Sequence, residues 1–254
     1  AFDPEVKVAI QDPPQGTGDA VRFGLTSLDG AVGDTVVLYA DTPFIQPGTL
    51  DKMAAARAAG HDVVVLGFQA ADPALYGRLV MAGDVLERIV EFKEASHEER
   101  AITLCNSGVV MTDIRVLSDL LSAVTNDNES GEYYLTDIVG IARSRGLSAT
   151  VVTCPEAETL GINSRADLAT AEAVFQDRAR VDALANGVTL IAPQTVYFSY
   201  DTVVGRDALI EPNVVFGPEV TVETGATIRA FSHLEGCHVS RGAVVGPYAR
   251  LRPG

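Results

Sequence analysis

Asp41 is the residue of this sequence best placed for phosphate or metal chemistry. It follows an apolar run, residues 35–40, that is led by β-branched side chains, and it precedes Thr42 and Pro43, which end a strand. Such a run is typical of a buried strand in a parallel sheet, and ligands bind outside the carboxyl ends of those strands. Asp41 is then a carboxylate at the rim where a phosphate or metal ion arrives. On this stretch alone, an Asp that caps the next turn is the simpler interpretation.

Two further polar stretches could contact a ligand. The loop at residues 11–18 contains Gly16 and Gly18, which permit a tight turn or a close approach of the backbone to a ligand. The apolar run at residues 101–111 is interrupted by Asn106, Ser107 and Gly108, which indicates a bulge or a ligand contact. For the glycine pair alone, a plain turn is the better single interpretation.

Composition limits the function classes. The chain has 254 residues and a formal net charge of −15, so a basic face for nucleic acid is excluded. A phosphorylated substrate would meet net repulsion, and its site would need a metal ion or locally placed Lys and Arg. The three cysteines are far apart, which argues against a disulfide framework and fits a reducing cytoplasm. No apolar run is long enough to span a membrane.

The first part of the chain has the pattern of an α/β domain. Strands are predicted at residues 35–40 and 61–68 with a helix at 49–59 between them, which is a βαβ unit with a parallel sheet. Weak alternation predicts a strand at residues 5–10. Two further strands, at residues 77–81 and 85–91, are predicted to form a hairpin. A final strand is expected at residues 148–153. Further helices are predicted from residue 19 and at residues 113–124 and 135–143.

The last part of the chain has a six-residue period. Ser164 is a good N-cap for a long connecting helix that ends near Gly187. From Thr202 onward an apolar residue recurs every sixth position, and the frame slips by one residue before Val239. This period matches the hexapeptide repeat of a parallel β-helix. The apolar residues expected to point inward are Val204, Ile210, Phe216, Val222, Ile228, Leu234, Val239, Val245 and Leu251.

Taken together, these motifs resemble one family. The segments that carry the resemblance occur in family order: Gln11 with Gly16-Thr17-Gly18, Tyr39-Ala40-Asp41, Tyr76-Gly77-Arg78, Glu91, Asn106-Ser107-Gly108, residues 131–137 (GEYYLTD), Gly161-Ile162-Asn163, and the repeats that end in residues 250–254 (RLRPG). They are similar to the bacterial bifunctional N-acetylglucosamine-1-phosphate uridylyltransferase / glucosamine-1-phosphate N-acetyltransferase family. The resemblance implies a Rossmann-like α/β nucleotidyltransferase with a mostly parallel sheet, followed by a left-handed parallel β-helix.

The resemblance also implies domain boundaries and missing parts. Residues 1–163 would be the uridylyltransferase domain, 164–187 a linker helix, and 188–254 the start of the acetyltransferase β-helix. The family's opening strand and glycine-rich phosphate loop would precede Ala1, and most of the β-helix would follow Gly254. We therefore expect both ends to be cut, and we expect the 254-residue polypeptide expressed alone to be poorly soluble or inactive, because a sheet edge and a repeat end would lie open.

Site roles follow from the same resemblance. Gln11 would pair with the uracil edge through its amide, and Gly16 and Thr17 would contact the same base. Asp41 and Asn163 would share one Mg²⁺, an ion that prefers oxygen ligands and retains waters. Backbone groups of Tyr39 and Ala40 would line the nucleotide. The family commonly has Gly where Ala40 stands, and a methyl group is tolerable there unless φ is positive.

The sugar side of the site is implied in the same way. Glu91 would accept hydrogen bonds from sugar hydroxyls, Asn106 would contact the sugar, and the backbone of Gly77 would bind the N-acetyl group. Tyr134 and Thr136 are weaker candidates, and Arg252 matches an arginine of the acetyltransferase half. The four histidines are each interpreted as structural.

The implied reaction transfers UMP from UTP to N-acetylglucosamine-1-phosphate and releases pyrophosphate. Its other product, UDP-N-acetylglucosamine, is a cell-wall precursor. The intact protein would also acetylate glucosamine-1-phosphate from acetyl-CoA, in the cytoplasm and as a homotrimer, with no nucleic-acid or membrane partner. An ionised phosphate needs no general base, so no catalytic acid or base is assigned.

Two alternatives stay open at this point. One is a sugar-nucleotide pyrophosphorylase with another base or sugar. The other is a non-catalytic β-helix assembly module with a degenerate nucleotidyltransferase-like domain.

Overall fold

The computed structural model describes residues 6–28 and 30–253, which fall into two compact units, Ala1–Gly161 and Ile162–Gly254. The described helices are α1 (Thr17–Thr26), α2 (Pro47–Ala58), α3 (His97–Arg100), α4 (Ile114–Ser122), α5 (Asp137–Ser144) and α6 (Arg165–Ala185). None of them combines the length and apolar character that a membrane crossing requires.

The first unit is built on a mixed sheet. Its strands are β1 (Asp34–Val37), β2 (Val63–Gln69), β3 (Arg78–Ala82), β4 (Val85–Val90), β5 (Leu104–Asp113) and β6 (Ala149–Cys154). Their order is β4-β3-β5-β2-β6, with β1 paired to β5 beside β3. The predicted α/β class is confirmed, with helices packed on a sheet that contains parallel strands. The sheet is mixed rather than mostly parallel as expected, because β5 runs antiparallel to β1, β2 and β3.

The sequence predicts that residues 35–40 form a buried strand with parallel neighbours, and this prediction is wrong in the direction of the neighbour and in the burial. β1 ends at Val37 and pairs antiparallel with β5, and its side chains are only partly covered. β1 and β2 run in the same direction, as a βαβ unit requires, but β5 lies between them: Met111 pairs with Val36 on one side and with Val64 on the other. Among the described residues, the sheet has its parallel ladder between β2 and β6 and is otherwise antiparallel.

The predicted strand at residues 5–10 is also wrong over its described part. Residues 6–10 pair with no described strand, and Val6, Val8 and Ile10 are exposed. Alternation alone does not make a strand, because a ladder needs a partner for its backbone groups. Glu5 lies outside the described residues.

β2 is the central buried strand, as the apolar run at residues 61–68 predicts. Val63 and Val65 face one core with α4 and α5, whereas Val64, Leu66 and Phe68 face another with Met53 of α2. A strand covered on both faces needs apolar residues at consecutive positions, which explains the unbroken hydrophobic run.

The predicted hairpin and the predicted bulge are both present. β3 pairs with β4 across Gly83, whose φ is 63°. On β5, the ladder to β2 skips from Val110 opposite Val65 to Asn106 opposite Gly67. Residues 107–109 therefore stand opposite the single residue Leu66, and these two extra residues make β5 bulge out of the ladder, with Gly108 at φ 87°.

The second unit contains α6 and a parallel β-solenoid. Ser164 caps α6 in a capping box with Asp167, as predicted. Gln176 of α6 donates to the carbonyl of Phe198 at 2.8 Å and accepts from its amide at 2.9 Å, so the buried face of the helix closes over the first solenoid segment. Each later segment adds strands parallel to those before it. The strands are β7 (Thr189–Leu190), β8 (Val203–Val204), β9 (Leu209–Ile210), β10 (Val215–Phe216), β11 (Val220–Val222), β12 (Thr227–Ile228), β13 (His233–Leu234), β14 (Cys237–Val239), β15 (Val244–Val245) and β16 (Arg250–Leu251).

The slip in the six-residue period appears as a change in register. Val204 pairs with Val222, but Val222 pairs with Val239, which is one residue nearer along the chain. Both Val222 and Val239 nevertheless point into the interior. The missing residue is therefore absorbed outside the strands, and the predicted β-helix is confirmed as a solenoid.

Candidate active site

A glycine-containing loop and the segment at residues 133–135 are joined by backbone contacts. Gly18 donates its amide to the carbonyl of Tyr133 at 2.8 Å, and the amide of Leu135 donates to the hydroxyl of Thr17 at 3.1 Å. A Cβ at Gly16 would lie 2.7 Å from the Tyr133 carbonyl oxygen, and its φ is 107°. Gly16 is therefore required both by conformation and by the close approach of another backbone.

Tyr39 connects this loop to the predicted sugar side. Its buried phenol hydrogen-bonds Thr17. Burial raises the pKa of Tyr39, the Thr17 hydrogen bond opposes that rise, and the nearby charges of Glu91 and Asp41 reinforce it. The phenol thus stays protonated at neutral pH and lies within the electrostatic reach of both carboxylates.

Gly77, Glu91 and Asn106 come together on strands β3, β4 and β5. The backbone N–H of Asn106 donates to the backbone carbonyl of Gly77 at 2.9 Å, and a Cβ placed on Gly77 would lie 3.6 Å from Glu91 Oε1. Thr136 donates its hydroxyl to Glu91 Oε1 at 3.0 Å. The structure therefore assembles these predicted sugar-binding residues, and Thr136 fixes the carboxylate among them.

Two cavities adjoin this cluster. A small one of about 10 Å³ is lined by Tyr39, Asn106 and Thr136, among others. An open one of about 270 Å³ contains Glu91, Lys93 and Tyr134. The lining of the open cavity thus carries one basic side chain, Lys93, and two acidic ones, Glu91 and Glu132.

Gln11 is held by a residue that the sequence analysis missed. Its Nε2 donates to Asp19 Oδ2 at 2.7 Å and to the carbonyl oxygen of Gly16 at 3.2 Å. Asp19 is buried, with 8% of its surface exposed. The sequence analysis expects Gln11 to offer both a donor and an acceptor to a base. Its N–H donors are already engaged within the protein, so only its carbonyl oxygen, an acceptor, is left for the base.

Arg78 supports the loop before Gly77 and was also missed as a contributor. It is 1% exposed and donates to the carbonyls of Pro73 at 3.2 Å and Ala74 at 3.1 Å, and also to that of Tyr76. The signal available in the sequence was an arginine at the start of an apolar strand. A guanidinium buried there needs several hydrogen-bond acceptors. Arg78 therefore orders the backbone that leads into Gly77.

The remaining predicted residues are placed as follows. Asp41 is exposed in the turn after β1, and Ala40 has no positive φ, so its methyl group is tolerated. Asn163 belongs to the second unit, where it is exposed. Its backbone N–H donates to the carboxylate of Asp167 at 3.0 Å. Arg252 is exposed beyond β16. The shared site of Asp41 and Asn163 stays a prediction from the resemblance.

Two of the cysteines belong to the apolar core that contains Val64, Leu66 and Phe68. Cys105 and Cys154 are both buried, and burial raises the pKa of Cys154 to about 11. Within residues 6–28 and 30–253, no three His, Cys, Asp or Glu side chains group closely enough to hold a metal ion by themselves.

Comparisons with known proteins find relatives along the whole chain. Residues 2–107 match the MobA-like NTP transferase domain family. Over its whole length the chain is 64% identical to the bifunctional protein GlmU of Roseobacter denitrificans, of which it covers 56%. Over 99% of its length it is 66% identical to the bifunctional protein GlmU of Ruegeria pomeroyi, again over 56% of that protein. The chain therefore spans about half the length of the curated relatives it matches.

A solved structure supports the fold alone. The crystal structure of an apo UDP-glucose pyrophosphorylase aligns with 66% of this chain and 63% of its own, with a TM-score of 0.50 and 18% sequence identity. The identity across the full chain, the shared nucleotidyltransferase fold and the solenoid lead to one assignment. Over the part of the protein that it spans, the chain is similar to the bifunctional GlmU proteins along its whole length.

Proposed function

We propose that the protein transfers UMP from UTP to N-acetylglucosamine-1-phosphate, giving UDP-N-acetylglucosamine and pyrophosphate. The observation that carries the proposal is the cluster of Glu91, Asn106 and Gly77 beside the loop that contains Gln11 and Gly16. Glu91 is oriented by Thr136, and the loop is fixed to residues 133–135 by hydrogen bonds. One face thus binds a sugar through its hydroxyls, and the adjoining face binds a nucleotide base.

The reaction needs positioning and charge neutralisation. The phosphate oxygen of the sugar phosphate attacks the α-phosphorus of UTP in line and pyrophosphate leaves, so no protein group has to remove a proton. Glu91 and Asn106 orient the sugar, Gly77 binds the N-acetyl group through its backbone, and Gln11 with Gly16 and Thr17 orients the base. Lys93 in the adjoining cavity adds positive charge near the sugar phosphate.

Mg²⁺ is the proposed cofactor, and the chemistry of Asp41 suits it. Asp41 is an exposed carboxylate whose charge reaches the Tyr39 phenol, so it lies at the edge of the cluster. Asp41 and Asn163 are its proposed ligands, since both offer the oxygen atoms that this ion prefers. Bound there, the ion would neutralise phosphate charge.

The intact protein is proposed to carry a second activity. The relatives that match are named bifunctional, and we propose that the solenoid of this chain is part of an acetyltransferase domain. Acetyl transfer from acetyl-CoA to glucosamine-1-phosphate, a role for Arg252, a cytoplasmic location and assembly as a homotrimer follow as parts of this proposal.

The proposal is tested on the protein in the form that the cell produces. UTP, ATP, CTP and dTTP are each incubated with N-acetylglucosamine-1-phosphate, with and without Mg²⁺, and pyrophosphate release is measured. Fastest turnover with UTP, abolished by chelation, is the expected result. A preference for another nucleotide supports a related pyrophosphorylase instead, and no turnover with any of the four nucleotides supports the non-catalytic module.

A further inference from the structure

We infer that Asp19 sets the base specificity of this site by fixing the direction of the Gln11 amide. Held in this way, Gln11 presents its carbonyl oxygen, and not its amino group, to the base. The inference rests on the proposed function, in which Gln11 faces the pyrimidine, and it adds the residue that makes that contact selective.

The direction of the amide follows from the chemistry of its partners. Gln11 Nε2 lies 2.7 Å from Asp19 Oδ2 and 3.2 Å from the carbonyl oxygen of Gly16. A carboxylate and a backbone carbonyl only accept hydrogen bonds, and a Gln amino group has two N–H donors, one for each. Turning the amide over would place its oxygen against two other oxygens. The network therefore admits one orientation.

Asp19 is built into the fold rather than displayed on the surface. It lies in the first turn of α1 and is 8% exposed, whereas Asp51, near the start of α2, is exposed. The positive end of α1 stabilises a carboxylate at this position. A buried carboxylate needs hydrogen-bond donors, and Gln11 supplies one across the loop of residues 12–18. The two side chains thus fix each other.

The orientation decides which bases are accepted. With both of its N–H groups engaged, Gln11 has only its Oε1 to offer, and this oxygen accepts a hydrogen bond. Uracil has an N–H donor at N3 and satisfies it. Cytosine has an unprotonated nitrogen acceptor at N3, so the two acceptors would face each other without a proton. A site that leaves a polar group unpaired rejects the wrong ligand strongly.

The test compares nucleotides in one assay. kcat/KM is measured for UTP and for CTP with saturating N-acetylglucosamine-1-phosphate, using the wild-type protein, Asp19→Asn and the matched surface control Asp51→Asn. An Asn at position 19 can turn its own oxygen or amino group toward Gln11, which releases the Gln11 amide. We expect the ratio of UTP to CTP to fall about tenfold in Asp19→Asn, mainly through KM, and to stay unchanged in Asp51→Asn. A fall in both values with an unchanged ratio shows a structural role only and overturns the inference.

A second measurement requires no variant. N3-methyluridine triphosphate lacks the N3–H donor but keeps the other groups of UTP. The wild-type protein is expected to use it about tenfold less well than UTP or worse, and equal use would overturn the inference. The outcomes also separate the two proposals: a wild-type protein that does not use UTP contradicts the proposed function. A protein that prefers UTP but accepts the methylated analogue equally contradicts only the role of Asp19 and Gln11.

Discussion

The ring of Tyr39 lies against the backbone of Gly108, so close that a Cβ atom on Gly108 would stand 2.9 Å from Tyr39 Cδ2 and Cζ. Gly108 is the middle residue of the β5 bulge and has a φ of 87°. The bulge therefore does more than interrupt a ladder: it creates the flat surface on which an aromatic residue of the site rests, between the loop at Thr17 and the carboxylate of Glu91.

Replacing Gly108 by Ala should damage both stability and activity. The new methyl group would overlap the Tyr39 ring, and the positive φ disfavours any residue with a Cβ. We expect the free energy of unfolding to fall by roughly 1–3 kcal/mol in urea denaturation, with a higher KM for both substrates. The matched control is Gly140→Ala in α5, where no heavy atom lies within 4 Å of the new methyl group. That change should raise stability by about 0.5–1 kcal/mol. Equal stabilities for the two variants would contradict the packing described for Tyr39.

Thr136→Val should affect the sugar and leave the nucleotide alone. The hydroxyl of Thr136 orients Glu91 at 3.0 Å, and Val keeps the shape while removing the donor. We expect kcat/KM for N-acetylglucosamine-1-phosphate to fall about three- to tenfold with an unchanged KM for UTP. Thr170→Val on the exposed face of α6 serves as the control. Combining Thr136→Val with Glu91→Gln should give less than the product of the single effects, because both remove one interaction. Independent effects would show that Thr136 does not act through Glu91.

The sequence predicts features that one local segment determines. The solenoid follows from a six-residue period because each inward residue, such as Ile210 or Ile228, occupies the same position in its own segment. The Ser164 cap and the bulge at Asn106 are likewise set by a few neighbouring residues. These elements could be predicted without knowing what lies beside them.

What could not be predicted depends on partners distant in the chain. Nothing within residues 35–40 shows that β5 arrives antiparallel between β1 and β2, and this pairing decides the direction of the sheet. Asp19 reads as an ordinary helical acid until the loop before α1 brings Gln11 against it. Arg78 needs the carbonyls of a folded loop before its burial makes sense. In each case the missing information is a contact between separate segments.

The contribution of Glu99 to the stability of the first unit should be lost as the pH becomes acidic. Its carboxylate accepts the backbone amide of Ser96 at 2.8 Å and pairs with Arg88, which lowers the pKa of Glu99 from 4.5 to about 2. A lowered pKa stabilises the fold above the unfolded value, near 4.5, and this contribution is lost as the pH falls toward 2. Glu99→Gln should therefore reduce the free energy of unfolding by about 1 kcal/mol at pH 7 and by clearly less at pH 3.

The neighbouring exposed Glu98 provides the control for that pH dependence. Glu98→Gln changes the same charge in the same short helix, α3, without the capping-box contacts of Glu99. Urea denaturation of the three proteins at both pH values should show a pH-dependent difference for Glu99→Gln only. A loss for Glu99→Gln of the same size at pH 3 as at pH 7 would mean that its ionised form does not stabilise the fold.

Asp41 and Asn163 should differ from other acidic and amide residues in their effect on metal dependence. An exposed carboxylate at the edge of the Tyr39 cluster, in a protein of net charge −15, is expected to need a cation before a triphosphate can bind beside it. Asp41→Ala should lower the rate of UDP-N-acetylglucosamine formation by orders of magnitude, since several kcal/mol of charge stabilisation depend on the ion. Asn163→Ala is measured separately, because the two residues belong to different units.

Two readouts decide between a ligand role and a general loss of activity. The rate is followed as a function of Mg²⁺ concentration, and Mn²⁺ binding is followed directly by electron paramagnetic resonance. A ligand variant should need about 10- to 100-fold more metal in both measurements, whereas Asp51→Ala in α2 should behave as the wild-type protein. If Asp41→Ala binds Mn²⁺ normally, Asp41 is not a ligand, whatever its rate. If Asn163→Ala binds Mn²⁺ normally and Asp41→Ala does not, the ion depends on Asp41 and the shared site implied by the resemblance is wrong. One protein oxygen, together with water and phosphate, would then be enough to hold the ion.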